Sequence, residues 1–417
     1  MDRSTKDGEN PIPIFLWSIG NSEKIREGTL LALPGYRGHN RVAGGNRMTQ
    51  DDKLTYEQSG VDYSRIDPLK VMAQKAALGT AGNLRGTGFD EIAASRGESA
   101  YVIDMGDWYM ASIVECLGTK SLVADQVRII TGRTHYDQIA QDTIAMAVND
   151  IVTVGARALS IHAYWATGGS EWFSDEERMR DLVDGWARTC DLVGAAWGGG
   201  ETPCLSGIVA PGSIDLAASC VGIIRPKERL IVGKSLQAGD AIVLLPSSGI
   251  HANGITLARK LAEILPDGYG TRLPDGRRYG EALLDPTLLY SAVVEALLSH
   301  DVPLHYISNI TGHGWRKLMR HPGAFTYRIT TIPPVPPVLQ FIVDSSHMDL
   351  SQAYGSLNMG AGFALFMPGA AVSESVRIAE QLGIRAIPAG HVEAGAKQVR
   401  IDPLGILYEG ESLNLRL

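Results

Sequence analysis

Apolar residues along the chain alternate between short runs of strand character and longer stretches at helical spacing. The segment 56–78 (YEQSGVDYSRIDPLKVMAQKAAL) reads as a turn followed by an amphipathic helix, and the Gly-, Ala- and Thr-rich residues 79–99 read as a mobile loop. YVIDMGD and YMASIVEC predict two paired strands joined by a Gly-Asp turn. Over 137–156, Ala140, Ile144, Ala147, Val148, Ile151 and Val152 share one side at a 3.6 period, which predicts a helix. ALSIHAYWAT is strand-like, 175–197 predicts a second amphipathic helix, and 214–226 alternates as a strand until Pro226 breaks it. The charged KER after that proline is taken as a domain boundary. Beyond it come a strand at 241–245, helices at 255–265 and 286–298, and a Gly/His loop at 311–314 leading into a helix. PPVPP at 333–337 is a stiff connector into another helix. FALFMPG is strand-like, 371–383 is helical, and AIPAGHVEAG leads into a closing strand. Both halves mix strand and helix, so the fold class is α/β or α+β, with no short-period repeat.

The expected organisation is an extension at 1–53 with at most one short ordered piece, a first domain at 54–225 and a second at 226–417. A chain of 417 residues is long enough for two well-buried cores. With 45% hydrophobic and 20% charged residues it has an ordinary globular composition, and the net charge of −8 argues against a nucleic-acid-binding surface. No apolar run approaches the roughly 20 residues that span a bilayer, so no membrane association is expected. Four cysteines without a CxxC pair suggest no disulfide framework, which suits a reducing cytoplasm. The 47 glycines exceed the average of about 7% and cluster in short motifs between apolar runs.

Those motifs are where chemistry is expected. SSGIHANG at 247–254 lies between a strand end and a helix start, where unpaired N–H groups and the helix dipole favour an anion. LGTKS at 117–121, WGGGET at 197–202 and ITGHGW at 310–315 are further Gly-rich junctions, and none is a Walker A loop. Asp142 and Asn149 lie seven residues apart on nearly one helix face, with Asp150 about 80° round from Asp142. Together with Glu115 and Glu201 they supply the oxygen ligands that suit Mg²⁺ beside phosphate. Clusters of His and Cys suited to zinc are absent. His251 and His313 sit in Gly-flanked loops, where a phosphate donor or a general base could be placed, or a histidine could simply cap a loop.

In chain order, YEQSGVD, GTK, QDTIAMAVNDIVTVGA, YWATG, GGET, CVGII, SSGIHANG, LARK, ITGHG, LNMGAG and GHV resemble the aminoimidazole ribonucleotide synthetase (phosphoribosylformylglycinamidine cyclo-ligase) family, a member of the PurM-like ATP-binding superfamily. The resemblance covers roughly 54–400. It implies two α/β domains, with the first-domain sheets of two chains closing into a homodimer barrel. It implies ATP and Mg²⁺ as cofactors and a small phosphoribosyl substrate whose imidazole ring is closed. By this resemblance the ATP site comprises Gly118, Thr119, Lys120, Asp142, Asn149, Gly199, Gly200, Glu201 and Thr202, with metal held by Glu115, Asp142, Asp150 and Glu201. The substrate cradle comprises Ser247, Ser248, Gly249, His251, Asn253, Gly254, Thr311 and Gly312. Lys120, Asp150 and His251 are the expected catalytic residues. Two departures stand out: Glu115-Cys116-Leu117 where the family has Asp-Gly-Val, and His313 within TGHG where it has TGGG. They leave open a divergent enzyme acting on another amide or acid, or a non-catalytic nucleotide-binding paralogue.

Overall fold

The computed structural model describes Leu54 and residues 59–413, which fall in one compact unit, 46–417. The expected extension at 1–53 lies outside the described residues. Six strands form a first sheet: β1 (Asp90–Glu91), β2 (Tyr101–Asp104), β3 (Tyr109–Cys116), β4 (Arg157–Thr167), β5 (Ala196–Glu201) and β6 (Ile214–Ile224), in the order β1-β2-β3-β6-β4-β5. Seven form a second: β7 (Ala241–Pro246), β8 (Tyr306–Asn309), β9 (Phe325–Ile329), β10 (Ala361–Met367), β11 (Ile387–Ala394), β12 (Gln398–Ile401) and β13 (Ile406–Glu409), in the order β13-β12-β9-β11-β7-β10-β8. Apart from the parallel pairs β4/β5 and β12/β9, all neighbours run antiparallel. Of the two classes left open by the sequence, this is α+β.

The helices are α1 (Tyr63–Leu78), α2 (Lys120–Thr131), α3 (Tyr136–Ile151), α4 (Glu176–Val193), α5 (Ile255–Ile264), α6 (Tyr279–Leu283), α7 (Ser291–Ser299), α8 (Pro337–Ser346), α9 (Leu350–Ser356) and α10 (Val372–Gln381). Helix α3 is the core of the first half, because its periodic residues Ala140, Ile144, Ala147, Val148 and Ile151 are fully buried. It packs between the sheet and α4. The other sheet face carries Met110, Ser112, Val114, Ser219, Val221, Ile223 and Tyr164 in one register. Val114 there is 68% exposed.

Several local expectations change. Residues 79–99 are not a featureless loop: they form 3₁₀ turns at Ala81–Thr87 and Ala93–Ser95 and the short strand β1, pinned where Arg96 and Tyr101 donate to Glu91. The helix expected to reach 197 stops at Val193, because Gly194 turns left-handed and caps it. WGGGE is therefore strand β5. Gly200 is required there, since a Cβ would lie 2.2 Å from the Ala163 carbonyl oxygen of the parallel neighbour. The helix expected from 286 starts only at Ser291, and strands β8 and β9 were not anticipated.

Candidate functional site

The GTK turn follows β3, as its position in the sequence suggests, and places Lys120 at the first position of α2. Lys120 is fully buried. Its Nζ pairs with Asp142 Oδ2 at 2.7 Å and donates to the Asp285 carbonyl at 3.1 Å. Asp142 Oδ1 accepts from the Thr287 N–H at 2.7 Å and its hydroxyl at 2.5 Å. One helical face further along, Asn149 donates to the Leu288 carbonyl at 2.8 Å and accepts from the Tyr290 N–H at 3.0 Å. From the second half, Ser248 Oγ donates to the Pro286 carbonyl at 2.6 Å. Lys120, Asp142, Asn149 and Ser248 thus converge on one extended strap, 285–290. Burial raises the Asp142 carboxyl above its usual range, against the pull of Lys120. Beside this clasp the Thr119 hydroxyl is buried without a partner among the described residues.

A second convergence lies at the seam between the halves. Asn149 of α3, His251 and Asn253 of the SSGIHANG loop, Asn309 at the end of β8, and Thr311 line an enclosed cavity of about 10 Å³. That space is of the order of one water molecule. The loop is held by its own contacts. Ser247 Oγ donates to Asn358 Oδ1 at 2.8 Å, and the Ser248 N–H donates to His251 Nε2 at 3.2 Å. His251 occupies the left-handed region (φ 60°), and burial pushes its pKa down to about 3, so its ring is neutral at physiological pH. Gly249 backs onto Asn358 through its carbonyl, and Gly254 is the left-handed residue that opens α5.

The TGHG loop lies beneath α1. His313, also left-handed (φ 68°), stacks on Tyr63 with ring centroids 3.7 Å apart and bonds Asp67 at 3.0 Å. Gly312 lies against the Tyr63 hydroxyl, which an added Cβ would meet at 2.4 Å. His313 therefore fastens α1 over this loop. Burial lowers its pKa to about 4, although Asp67 pulls the other way.

The four expected metal carboxylates divide within one chain. Glu115 on β3 and Asp150 on α3 lie near enough to interact electrostatically. Burial, and then repulsion from Asp150, raises Glu115 to about 7, while Lys317, Arg320 and Lys70 oppose the rise. Asp150 Oδ1 accepts from Asn309 Nδ2 at 2.7 Å. Asp142 is instead sealed against Lys120. Glu201 follows Gly200, which shares a row with Glu115 through Ala218 and Ala163. Three strand spacings, roughly 14 Å of backbone, separate that row's ends. Among the described residues no three His, Cys, Asp or Glu side chains cluster for a metal ion. Gly199 and Thr202 stay with Glu201 at the exposed end of β5, away from the Lys120 clasp in the sheet order, while Gly118 makes the left-handed turn into GTK.

Comparison with known proteins follows the same two halves. Residues 97–224 match the AIR synthase related protein N-terminal domain, and residues 237–402 match the corresponding C-terminal domain. A phosphoribosylformylglycinamidine cyclo-ligase of Methanothermobacter thermautotrophicus is 31% identical over 354 residues, covering 84% of this chain and 97% of the relative. The one from Thermococcus kodakarensis is 32% identical over 354 residues, covering 85% and 99%. The chain belongs to the AIR synthase family. Among solved structures, thiamine-monophosphate kinase from Stenotrophomonas maltophilia shares the fold at 16% identity and a TM-score of 0.51, covering 73% of this chain and 88% of that one.

Glu115 and Asp150 are carboxylates of the kind that commonly hold Mg²⁺, one or two at a time, together with waters and phosphate oxygens. Asp142 pairs with Lys120, and Glu201 lies at the other end of the sheet row. Sequence reasoning missed the 285–290 strap, Asn309, Lys317, and the Tyr63–Asp67 cover on the TGHG loop. Only the polar run Asp285-Pro286-Thr287 between two apolar stretches hinted at the strap.

Proposed function

We propose that the protein is an ATP-dependent cyclo-ligase that converts formylglycinamidine ribonucleotide to aminoimidazole ribonucleotide, with release of ADP and phosphate. The observation that carries this reading is the meeting of α3, SSGIHANG and ITGHG at one seam, in a chain colinear with cyclo-ligases. The γ-phosphoryl group of ATP is transferred to the formamide oxygen, leaving ADP. The amidine nitrogen then attacks the activated carbon, a C–N bond forms, the C–O bond breaks, and phosphate departs. Such chemistry is chiefly positioning and charge neutralisation. Glu115 and Asp150 would hold Mg²⁺, which when bound neutralises phosphate charge. The unpartnered Thr119 hydroxyl and the N–H groups of Gly118 and Lys120 would face the nucleotide. The 247–254 and 311–312 segments would cradle the substrate's phosphate and ribose once the seam opens beyond its present volume. His251, held neutral, serves as a hydrogen-bonding group and not as a cation.

In this reading residues 54–225 form the nucleotide-binding and dimerising half, 226–417 form the substrate half, and the protein is cytoplasmic. The open apolar sheet face around Val114, Val221 and Ile223 supports a homodimer. Among the described residues no helix is long and apolar enough to cross a membrane. The commitment of Lys120 to Asp142 favours a second reading, a paralogue that binds nucleotide without turnover. The test is product formation by purified protein with ATP, Mg²⁺ and the precursor. Aminoimidazole ribonucleotide is expected, and its absence while ATP still binds would transfer the case to the second reading.

A further inference from the structure

Lys317 belongs to the 3₁₀ turn Gly314–Met319 that follows the TGHG loop, and it is only 9% exposed. The backbone there is fixed: Ser308 Oγ donates to the Lys317 carbonyl at 2.8 Å, one residue before Asn309 reaches across to Asp150. The Asn309–Asp150 bond brings this turn of the second half towards the Glu115–Asp150 pair of the first, and both carboxylates act on the lysine electrostatically. Its neighbours are already committed. Arg320 donates to the Gly97 carbonyl at 2.9 Å and to Ser99 Oγ at 2.6 Å, and Lys70 lies 3.2 Å from Asp67. Among the described residues, no hydrogen bond or ion pair within 4 Å engages Lys317 Nζ. A buried ammonium without a direct partner is costly, so a fold does not retain one for packing alone.

We propose that Lys317 is the ligand-facing cation of the Glu115–Asp150 site, supplied by the second half and directed at the phosphoryl oxygens of a metal–nucleotide bound there. The assignment rests on the ATP-dependent reading above for the identity of that ligand. It makes the site a composite: two carboxylates from the first half for the divalent ion, and one ammonium from the second for the anion the ion carries. Phosphate is then gripped only when the halves are docked, which ties nucleotide binding to their closure. Lys317 also faces two carboxylates when no ligand is present. A mere counter-ion for those carboxylates is therefore the alternative to exclude.

Lys317→Met keeps the length and bulk of the side chain and removes the charge. The probe is the magnesium complex of a non-hydrolysable β,γ-methylene analogue of ATP, titrated calorimetrically, with thermal melts of the ligand-free proteins alongside. The expected result is at least a tenfold loss of analogue affinity in Lys317→Met, an unchanged or raised thermal midpoint, and partial recovery of affinity in Lys317→Arg. Unchanged affinity overturns the proposal. A lowered midpoint in Lys317→Met also overturns it, since that outcome marks a counter-ion whose loss leaves two carboxylates repelling. Binding is read here without turnover. Failure of the wild-type protein to make product would therefore refute the cyclo-ligase reading and leave this test intact.

Discussion

Replacing Lys120 with Met tests whether the GTK lysine is spent on holding the two halves together. In the structure its ammonium is fully buried, 2.7 Å from Asp142 Oδ2 and 3.1 Å from the Asp285 carbonyl. Removing it leaves a buried carboxylate facing no cation and a strap carbonyl without its donor. Breaking one partner out of a buried ion pair costs about 3–5 kcal/mol. At about 2.1 cal/mol/K of unfolding entropy per residue, a unit spanning 46–417 that melts as one should lose about 4–6 °C of thermal midpoint. Adding Asp142→Asn removes the stranded charge and keeps a carbonyl oxygen for the Thr287 N–H and hydroxyl. The double variant should therefore recover about 1–3 kcal/mol relative to the sum of the single changes. The assay is a ligand-free melt of the wild-type protein, both single variants and the double variant. A Lys120→Met protein that melts within a degree of wild type while losing nucleotide affinity would refute the clasp. It would show instead that the lysine serves the nucleotide.

Two further outcomes follow from the geometry. His251 and His313 are held neutral, with pKa values near 3 and 4 against an ordinary 6.5, so the unfolded chain binds their protons first. Their stabilising contribution is complete above pH 6.5 and is lost as pH falls: by pH 5 each costs about 2 kcal/mol. In urea unfolding, the loss between pH 7 and pH 5 should shrink by about 2 kcal/mol in His313→Asn, and an unchanged pH dependence would contradict the burial argument. Light scattering at micromolar concentration should give twice the 44.8 kDa chain mass, through the open face of the first sheet. A single-chain mass would remove the dimer and leave Val114, at 68% exposure, without a purpose.

What the sequence determined by itself was whatever depends on spacing along the chain. The 3.6-residue period expected over 137–156 and the alternation expected over 214–226 are local consequences of helix and strand geometry; the helix formed over Tyr136–Ile151, giving way to a 3₁₀ turn at Val152–Val154, and the strand over Ile214–Ile224. The ordered series of short motifs was equally legible, because family resemblance is carried by residue order. Other features were settled only by tertiary contact. WGGGE reads as a Gly-rich loop in the sequence, but it is a strand in which Gly200 admits the backbone of β4, a neighbour more than thirty residues away. In the sequence, oxygen and ammonium groups near Gly-rich turns, such as Lys120, Asp142 and Asn149, suit a nucleotide site and an internal clasp equally. Their hydrogen-bond partners within the chain, Asp285, Thr287, Leu288 and Tyr290, lie some 140 to 165 residues further on. Lys317 gave no signal at all, because a lysine between Arg316 and Leu318 is ordinarily solvated. Its burial within electrostatic reach of Glu115 and Asp150 depends on the packing of the second half on the first, where Asn309 reaches Asp150. A polar side chain's role is set by which groups remain to satisfy it after burial, and chain order does not encode that pairing.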